Sequence, residues 1–384
     1  MRVLITSVSR FTEPTGICRY ASLLASALSQ YASCEVTIAV GPWQHAYFQD
    51  VLTPHKDVTI LPVPIRNSQI SRNLWSLFGL PRLARKLRAE VVHLAYPVPV
   101  YRSFFHSALL MTVHDLYTFD SPKNFQFPAA NRFILTHSVR QCDRLICISA
   151  NTRRRFLALF PGTDRDIVKV IHNPVKTSDA VSGRDDSVVG LSSGNFLLSV
   201  AQHRSNKNLA LLIHAHAALR RTGRFAEDHV LVLVGSNGPE TPKLLKEVDE
   251  LQIAANVRFL SSISDATLAW LYRNCVALVV CSSEEGFCLP LAEALTQGSP
   301  VVCSDIPVLH EVGSDLCSYF PLEPTPLEAL MLALEHLPDR LSGSQITSAR
   351  VRFSPDTVAA SYRAAYQQVL DNLGSGARKS GVTP

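Results

Sequence analysis

The order of apolar runs predicts an α/β chain built from two doubly wound, Rossmann-like domains that face each other across a cleft. Three observations lead there. Short apolar runs alternate with longer amphipathic ones along the whole chain, which implies parallel sheets with helices on both faces. The texture breaks once, over residues 176–193, where Ser, Asp and Gly replace periodic sequence, as in an interdomain linker. The alternation restarts at Phe196. A length of 384 residues also fits two domains, at roughly 150 residues each.

Residues 2–6 form the first strand, and a helix follows over 18–29, with Tyr20, Leu23, Leu24 and Leu28 at helical spacing. Further strands are expected at 35–40, 58–61, 91–94, 109–113, 145–148 and 167–171, with helices at 74–89, 129–141 and 151–160. Beyond the linker come strands 196–200, 229–234, 257–260, 277–281 and 301–303, and helices 209–221, 242–251, 265–273 and 290–296. A last helix, 355–373, carries Val358, Ala359, Tyr362, Tyr366 and Val369 on one side. It either closes the second domain or crosses back to the first. The organisation is therefore a first domain over 1–175, a linker over 176–193, a second domain over 194–354, that helix, and a flexible tail over 374–384.

Composition narrows the class. Hydrophobic residues make up 47% and charged residues 18%, enough for real cores and unlike a disordered chain. The net charge of +5 suits anionic ligands such as nucleotide diphosphates, or an acidic membrane surface. It lacks the concentrated basic stripe that nucleic acid needs. The nine cysteines form no C-x-x-C pair, and Cys147, Cys281 and Cys303 sit in apolar runs. They read as buried small hydrophobes in a reducing compartment. The N-terminus is a strand, not a signal peptide, and no apolar run approaches the ~20 residues that span a bilayer. A cytoplasmic protein is expected. The basic runs at Arg82, Arg85, Lys86 and Arg88 and at Arg153, Arg154 and Arg155 read as solvated faces. With a lipid-linked acceptor they would give peripheral contact at the inner membrane face. Trp75, Leu77, Phe78 and Leu80 beside the first run are assigned to the core.

Ligands of open parallel sheets bind beyond the carboxyl ends of the strands, and four such places carry chemistry. The first is the string Ser282-Ser283-Glu284-Glu285-Gly286-Phe287-Cys288-Leu289-Pro290-Leu291-Ala292-Glu293. Pro290 suits the first turn of a helix, which puts the backbone of Phe287, Cys288 and Leu289 at a positively polarised helix end. Glu285 and Glu293 flank that end, and carboxylates accept hydrogen bonds from sugar hydroxyls. The second is the loop after strand 196–200, with Gln202, Arg204, Lys207 and Asn208. Two cations and a helix end would hold a departing diphosphate without a metal ion. The third is Thr112-Val113-His114-Asp115-Leu116 at a strand end, and the fourth is Pro14-Thr15-Gly16-Ile17-Cys18-Arg19-Tyr20, where Gly16 permits close backbone approach to a ligand.

The first string resembles the E-G-F-G-L-P-x-x-E signature of family-four retaining glycosyltransferases, which have the GT-B fold. Gly298-Ser299-Pro300-Val301-Val302 resembles the family's G-x-P-V-V strand, and Asp305, Pro307, Glu311 and Gly313 its downstream loop. Lys207-Asn208 matches the family's K-N pair, His114-Asp115-Leu116 its H-D-L, and residues 15–20 its G-G-I-x-R-Y loop with Thr15 for the first Gly. The chain departs at Cys288, where the family has Gly, a side chain that narrows the space near the transferred sugar. It also departs at Gln202, which takes the place of the upstream base, with Arg204 compensating.

The resemblance implies a retaining, metal-independent, cofactor-free hexosyltransferase. It would move a mannose- or glucose-type sugar from a nucleotide diphosphate to a glycan or lipid-linked acceptor in cell-surface polysaccharide synthesis. In that assignment Lys207, Arg204 and the helix end at Phe287, Cys288 and Leu289 hold the diphosphate. Glu293 binds the ribose diol, Glu285 and His114 contact the donor sugar, and Gly16 lines the cleft. The leaving phosphate then assists the incoming hydroxyl on one face. Two alternatives are a nucleotide-sugar epimerase of the same shape and a non-catalytic nucleotide-sugar-binding subunit. The string Asp164-Arg165-Asp166 sits between a helix and a strand and reads as a solvated turn, not a metal site. No G-x-G-x-x-G follows a strand, and Gly235-Ser236-Asn237-Gly238 is its nearest approach.

Overall fold

Two wholly parallel sheets organise the residues that the computed structural model describes, 1–12, 15–53, 57–116, 129–176 and 185–375. The first is made of β1 (Arg2–Thr6), β2 (Glu35–Val40), β3 (Val58–Pro62), β4 (Val91–Leu94), β5 (Ala108–Val113), β6 (Arg144–Cys147) and β7 (Val168–Val170). Their spatial order is β3-β2-β1-β4-β5-β6-β7. The second is made of β8 (Phe196–Val200), β9 (Val230–Val234), β10 (Val257–Leu260), β11 (Ala277–Val280), β12 (Val301–Ser304) and β13 (Ser318–Phe320), in the order β10-β9-β8-β11-β12-β13. In each sheet the order reverses beside the first strand, at β1/β4 and at β8/β11. Such a reversal opens a crevice beyond the strand ends where ligands bind.

The apolar runs become strands because helices cover both faces. Val3 and Ile5 enter one core with the helix Gly16–Ala32, while Leu4 between them enters the other with Trp75, Leu80 and Phe156. Every residue of β5 is buried, as expected of a strand without a solvent face.

The chain divides into two units, Met1–Pro174 with Phe353–Pro384, and Val175–Arg352. The helix Pro355–Gly374 thus belongs to the first. Val358, Tyr362 and Tyr366 join the core of the Gly16–Ala32 helix, and a buried polar network fastens them. Tyr20 Oη lies 2.7 Å from both Tyr362 Oη and Thr112 Oγ1. His93 reaches Tyr366 Oη with Nδ1 at 2.7 Å and Thr112 Oγ1 with Nε2 at 2.8 Å. Each of these buried hydroxyls and ring nitrogens is thereby satisfied.

Several expectations change. The single helix over 74–89 is three pieces: an α-helix Gln69–Leu74, a π-turn Trp75–Gly79 and an α-helix Leu80–Lys86. Pro81 has no N–H to give the carbonyl four residues back, and Leu80 N–H instead bonds to Trp75 O. Trp75 and Leu80 are core, but Phe78 is 46% exposed, contrary to its assignment there. The strand expected at 167–171 is confined to Val168–Val170, preceded by a 3-10 turn in which Asp164 caps Asp166 N. β13 and the helices His45–Leu52, Pro307–Gly313, Pro326–Glu335 and Gly343–Arg352 were not anticipated.

Of the expected linker, residues 177–184 lie outside the described residues. Its second part is fastened to the second unit. Asp185 accepts from Ser264 N at 2.9 Å and donates its N–H to Thr267 Oγ1 at 2.9 Å, and Arg258 donates to Val189 O at 2.7 Å. Of the expected tail, residues 376–384 lie outside the described residues. All nine cysteines are free thiols, eight of them buried. Among the described residues no helix is long and apolar enough to cross a membrane.

Candidate functional site

The two loops that leave β8 and β11 flank the reversal of the second sheet, and they are laced together. Asn206 O accepts from Ser283 N at 2.9 Å, and Asn206 Nδ2 donates to Glu284 O at 3.1 Å. Asn208 adopts the left-handed conformation, φ 47, that asparagine tolerates, and its side-chain amide donates to Cys281 O at 3.0 Å. This turn aims Lys207 across the reversal, where its Nζ meets Glu285 Oε1 at 2.6 Å. Ser282 Oγ donates to the same oxygen at 2.9 Å. Burial opposes the charge on Lys207, but the Glu285 carboxylate outweighs it and holds the ammonium above its ordinary pKa. Lys207 therefore carries a full charge at neutral pH. One of its three donors serves Glu285.

The loop after β8 has a second support. A Cβ on Gly235 would lie 1.9 Å from Ala201 O, and one on Gly238 would lie 2.3 Å from His203 O. Only glycine permits that approach. His203 Nδ1 pairs with Thr241 Oγ1 at 2.8 Å, and burial holds its ring below its ordinary pKa, hence neutral. The Gly235–Gly238 stretch, which fails as a dinucleotide fingerprint, is thus the floor under the Lys207 loop.

The helix Leu289–Gln297 starts where expected, with Pro290 in its first turn. Cys288 caps it in the left-handed region, φ 72 and ψ 73, a conformation that favours glycine. Its buried thiol is pushed well above its ordinary pKa, first by desolvation and then by Glu285. Phe287 is buried, and Leu289 is half-buried. Glu293, on the first turns of this helix, is buried and takes a 2.8 Å hydrogen bond from Tyr272 Oη. Arg204 is exposed, and its charge opposes that of Lys207. Downstream, Asp305 pairs with His310 at 2.7 Å. Tyr272 was missed, and Ser282, Asn206, Gly235 and Gly238 were given no role in the site. Only the Gly235–Gly238 spacing left a signal, a glycine pair after a strand with no phosphate fingerprint.

Gly16 and His114 belong to the first unit. Gly16 opens its helix, with Thr15 Oγ1 accepting from Cys18 N at 3.4 Å; Pro14 lies outside the described residues. Tyr20 of this helix packs edge-on against His114, ring centroids 4.6 Å apart. His114 follows β5, next to β4 in the sheet, and its Nε2 lies 2.7 Å from Ala95 O just beyond β4. A carbonyl only accepts, so the proton is on Nε2. Burial lowers the ring's pKa, so it is neutral at pH 7. His114 therefore offers Nδ1 as an acceptor. Among the described residues no three His, Cys, Asp or Glu side chains converge as a metal cage.

Two family models match the chain, Glycosyltransferase Family 4 over residues 14–179 and Glycosyl transferases group 1 over residues 185–335. The chain is similar to the O-antigen chain mannosyltransferase RfbU of Salmonella typhimurium, 26% identical over 88% of this chain and 93% of that protein. It is also similar to the serotype-specific mannosyltransferase WbdA of Escherichia coli, 30% identical over 46% of this chain but 23% of that longer protein. Among solved structures, Anabaena HepE in complex with UDP-glucose superposes with a TM-score of 0.65 at 17% identity, over 98% of this chain and 100% of that one. WaaG, a glycosyltransferase involved in lipopolysaccharide biosynthesis, gives 0.66 at 17%, over 96% and 98%. At these identities the structural likeness speaks to the fold.

Proposed function

This chain belongs to the family-four glycosyltransferases of the GT-B fold, and from that premise we propose that it transfers a hexose of the mannose type, with retention and without a metal ion. The donor is a nucleotide diphosphate sugar. The acceptor is a glycan or lipid-linked glycan in cell-surface polysaccharide synthesis. The mannosyl assignment is supported by the names of its relatives RfbU and WbdA.

The observation that carries this reading is the Lys207–Glu285 contact of 2.6 Å, made by the two loops at the sheet reversal, beside the helix that bears Glu293. The two donors of Lys207 not serving Glu285 bind the diphosphate, together with the helix end at Phe287, Cys288 and Leu289. Arg204 adds long-range positive charge from an exposed position. Glu293, oriented by Tyr272, accepts from the ribose diol. Glu285 contacts the sugar hydroxyls. The bond from the anomeric carbon to the phosphate oxygen breaks and a bond to the acceptor oxygen forms on the same face. The acceptor proton passes to the leaving phosphate. The protein's part is positioning and stabilisation of the charge that develops on the diphosphate.

A thermal-shift panel of GDP, UDP, GDP-mannose and UDP-glucose in EDTA tests the reading. One nucleotide class should raise the melting point, by the equivalent of about 2.7 kcal/mol at a hundredfold excess over Kd. The increment should vanish in Lys207→Ala and Glu293→Ala. Unchanged increments in both variants would remove the nucleotide from this site. A requirement for divalent metal would refute the metal-free assignment.

A further inference from the structure

The stretch from Gln69 to Lys86 turns Trp75 and Leu80 inward and leaves Ile70, Leu74 and Phe78 exposed at spacings of four residues, so one face of it is apolar and open. The band continues across two other elements. The Phe78 and Phe104 rings are 6.1 Å apart, Phe104 and Tyr101 5.6 Å, Tyr101 and His137 4.8 Å, and His137 stacks on Phe133 at 5.9 Å. His137 Nε2 donates to Val100 O at 2.8 Å, which fastens the helix Ala129–Gln141 beside the Tyr101 turn. Of the thirteen large apolar side chains exposed among the described residues, six belong to this band, with Ile70 at 74% and Phe133 at 70%. Scattered exposed apolar residues need no explanation, whereas a contiguous band marks an interaction surface.

The charge around it is one-sided. Residues 64–89, 101–107 and 129–141, which carry the band, contain six, one and two Lys or Arg, and no Asp or Glu. The whole chain has 37 cations and 32 carboxylates, so the remainder holds 28 against 32 and is net acidic. Arg66, Arg82, Arg85 and Lys86 are exposed. Protein interfaces share the enrichment in aromatic residues and arginine, so the local excess of cations is what decides the occupant. One carboxylate stands at the edge, Asp143, which pairs with Arg102 at 2.8 Å. Aromatic rings flanked by such an excess of cations match the headgroup level of a bilayer, where ring bodies sit among acyl chains and guanidinium groups meet phosphates.

We propose that this aromatic, predominantly basic face of the first unit seats the protein on an anionic phospholipid bilayer. The Phe and Tyr rings and the Ile70–Leu74 edge enter the interface, and the flanking Arg and Lys bind lipid phosphates. The inference stands on the band and its charge, independently of the donor chemistry.

Flotation of the full chain with vesicles tests it, using phosphatidylcholine alone and phosphatidylcholine with about 30% phosphatidylglycerol. Binding to the mixed vesicles should exceed binding to the neutral ones by at least about tenfold and weaken with salt. The pairs Phe78→Ser with Phe104→Ser and Arg82→Glu with Arg85→Glu should each lower it by about tenfold. Leu332→Ser removes a still more exposed side chain, 60% accessible, from the second unit and should change nothing. All these sites are exposed, so melting points should hold. Donor hydrolysis without acceptor should also persist in every variant, which separates this surface from the donor site. The proposal is overturned by absent binding, by equal binding to both vesicles, or by variants that bind like the parent. A dimer in solution that the phenylalanine pair abolishes would overturn it too, since a second copy would then be the occupant.

Discussion

Lowering the pH from about 7.5 to about 5 should loosen the C-terminal helix from the first unit, because His93 resists protonation while the chain is folded. His93 is fully enclosed, with Tyr366 and Thr112 on its two nitrogens. Burial, with His114 as a second and like-signed influence, drives its pKa from 6.5 down to about 3. In the unfolded chain it titrates near 6.5. Its folded pKa is thus depressed, so stability is full above about 6.5 and is lost as the pH falls towards about 3, the unfolded state binding the proton first. Each pH unit is worth ~1.4 kcal/mol, and the 1.5 units between 6.5 and 5 amount to ~2 kcal/mol. His216 and His229, buried against each other at 3.2 Å in the second unit, are lowered to about 3 and about 4 by the same cause. They add their own acid lability, so the parent curve by itself does not isolate His93. Urea unfolding across this range should therefore be run on the parent and on His93→Gln, which keeps a donor and an acceptor but has no proton to gain. The variant starts less stable at pH 7.5 and should lose ~2 kcal/mol less by pH 5. Parallel curves for the two proteins would refute the reasoning.

Gly235→Ala should cost ~1–3 kcal/mol, because its Cβ would stand 1.9 Å from Ala201 O. Displacing the Lys207 loop, it should also raise the nucleotide dissociation constant; chemical denaturation and titration calorimetry measure the two effects. Cys288→Gly should leave the melting point nearly unchanged, since relief of ~1–2 kcal/mol of left-handed strain offsets a loss of thiol packing and glycine's greater unfolded entropy. Cys288→Val should instead lose ~2 kcal/mol or more, a β-branched residue at φ 72 being a severe outlier; equal melting points for the two variants would count against the assigned backbone.

The parts of the fold legible in the sequence are those whose physics is local. β1, β2, β4 and β8 read directly because strands covered on both faces are continuous apolar runs, and the helix at Leu289 reads because Pro290 and the residues before it mark its start. β13 and the helix Pro307–Gly313 did not read, since three to seven residues carry too few periods. The exposure of Phe78 was illegible for another reason. Its helix has apolar residues on both sides, and only packing beside the sheet decides that Trp75 goes in and Phe78 stays out.

The site divides along the same line. Lys207, Glu285 and Glu293 were identifiable as single charges at strand and helix ends, but their partners lie 78 residues away for Lys207–Glu285 and 21 for Tyr272–Glu293. Those pairings change what each charge does. A lysine on an exposed loop offers a weak, solvent-screened attraction. A half-buried lysine held by a carboxylate and two interlocked loops is a pre-positioned cation, and its ordering has been completed before any ligand arrives. On the proposed reading, Glu285 and an incoming diphosphate compete for one ammonium, and that competition is useful. The carboxylate keeps the cation in place when the site is empty, and the ligand's larger charge takes over two of its three donors when it binds, leaving Glu285 beside the sugar hydroxyls.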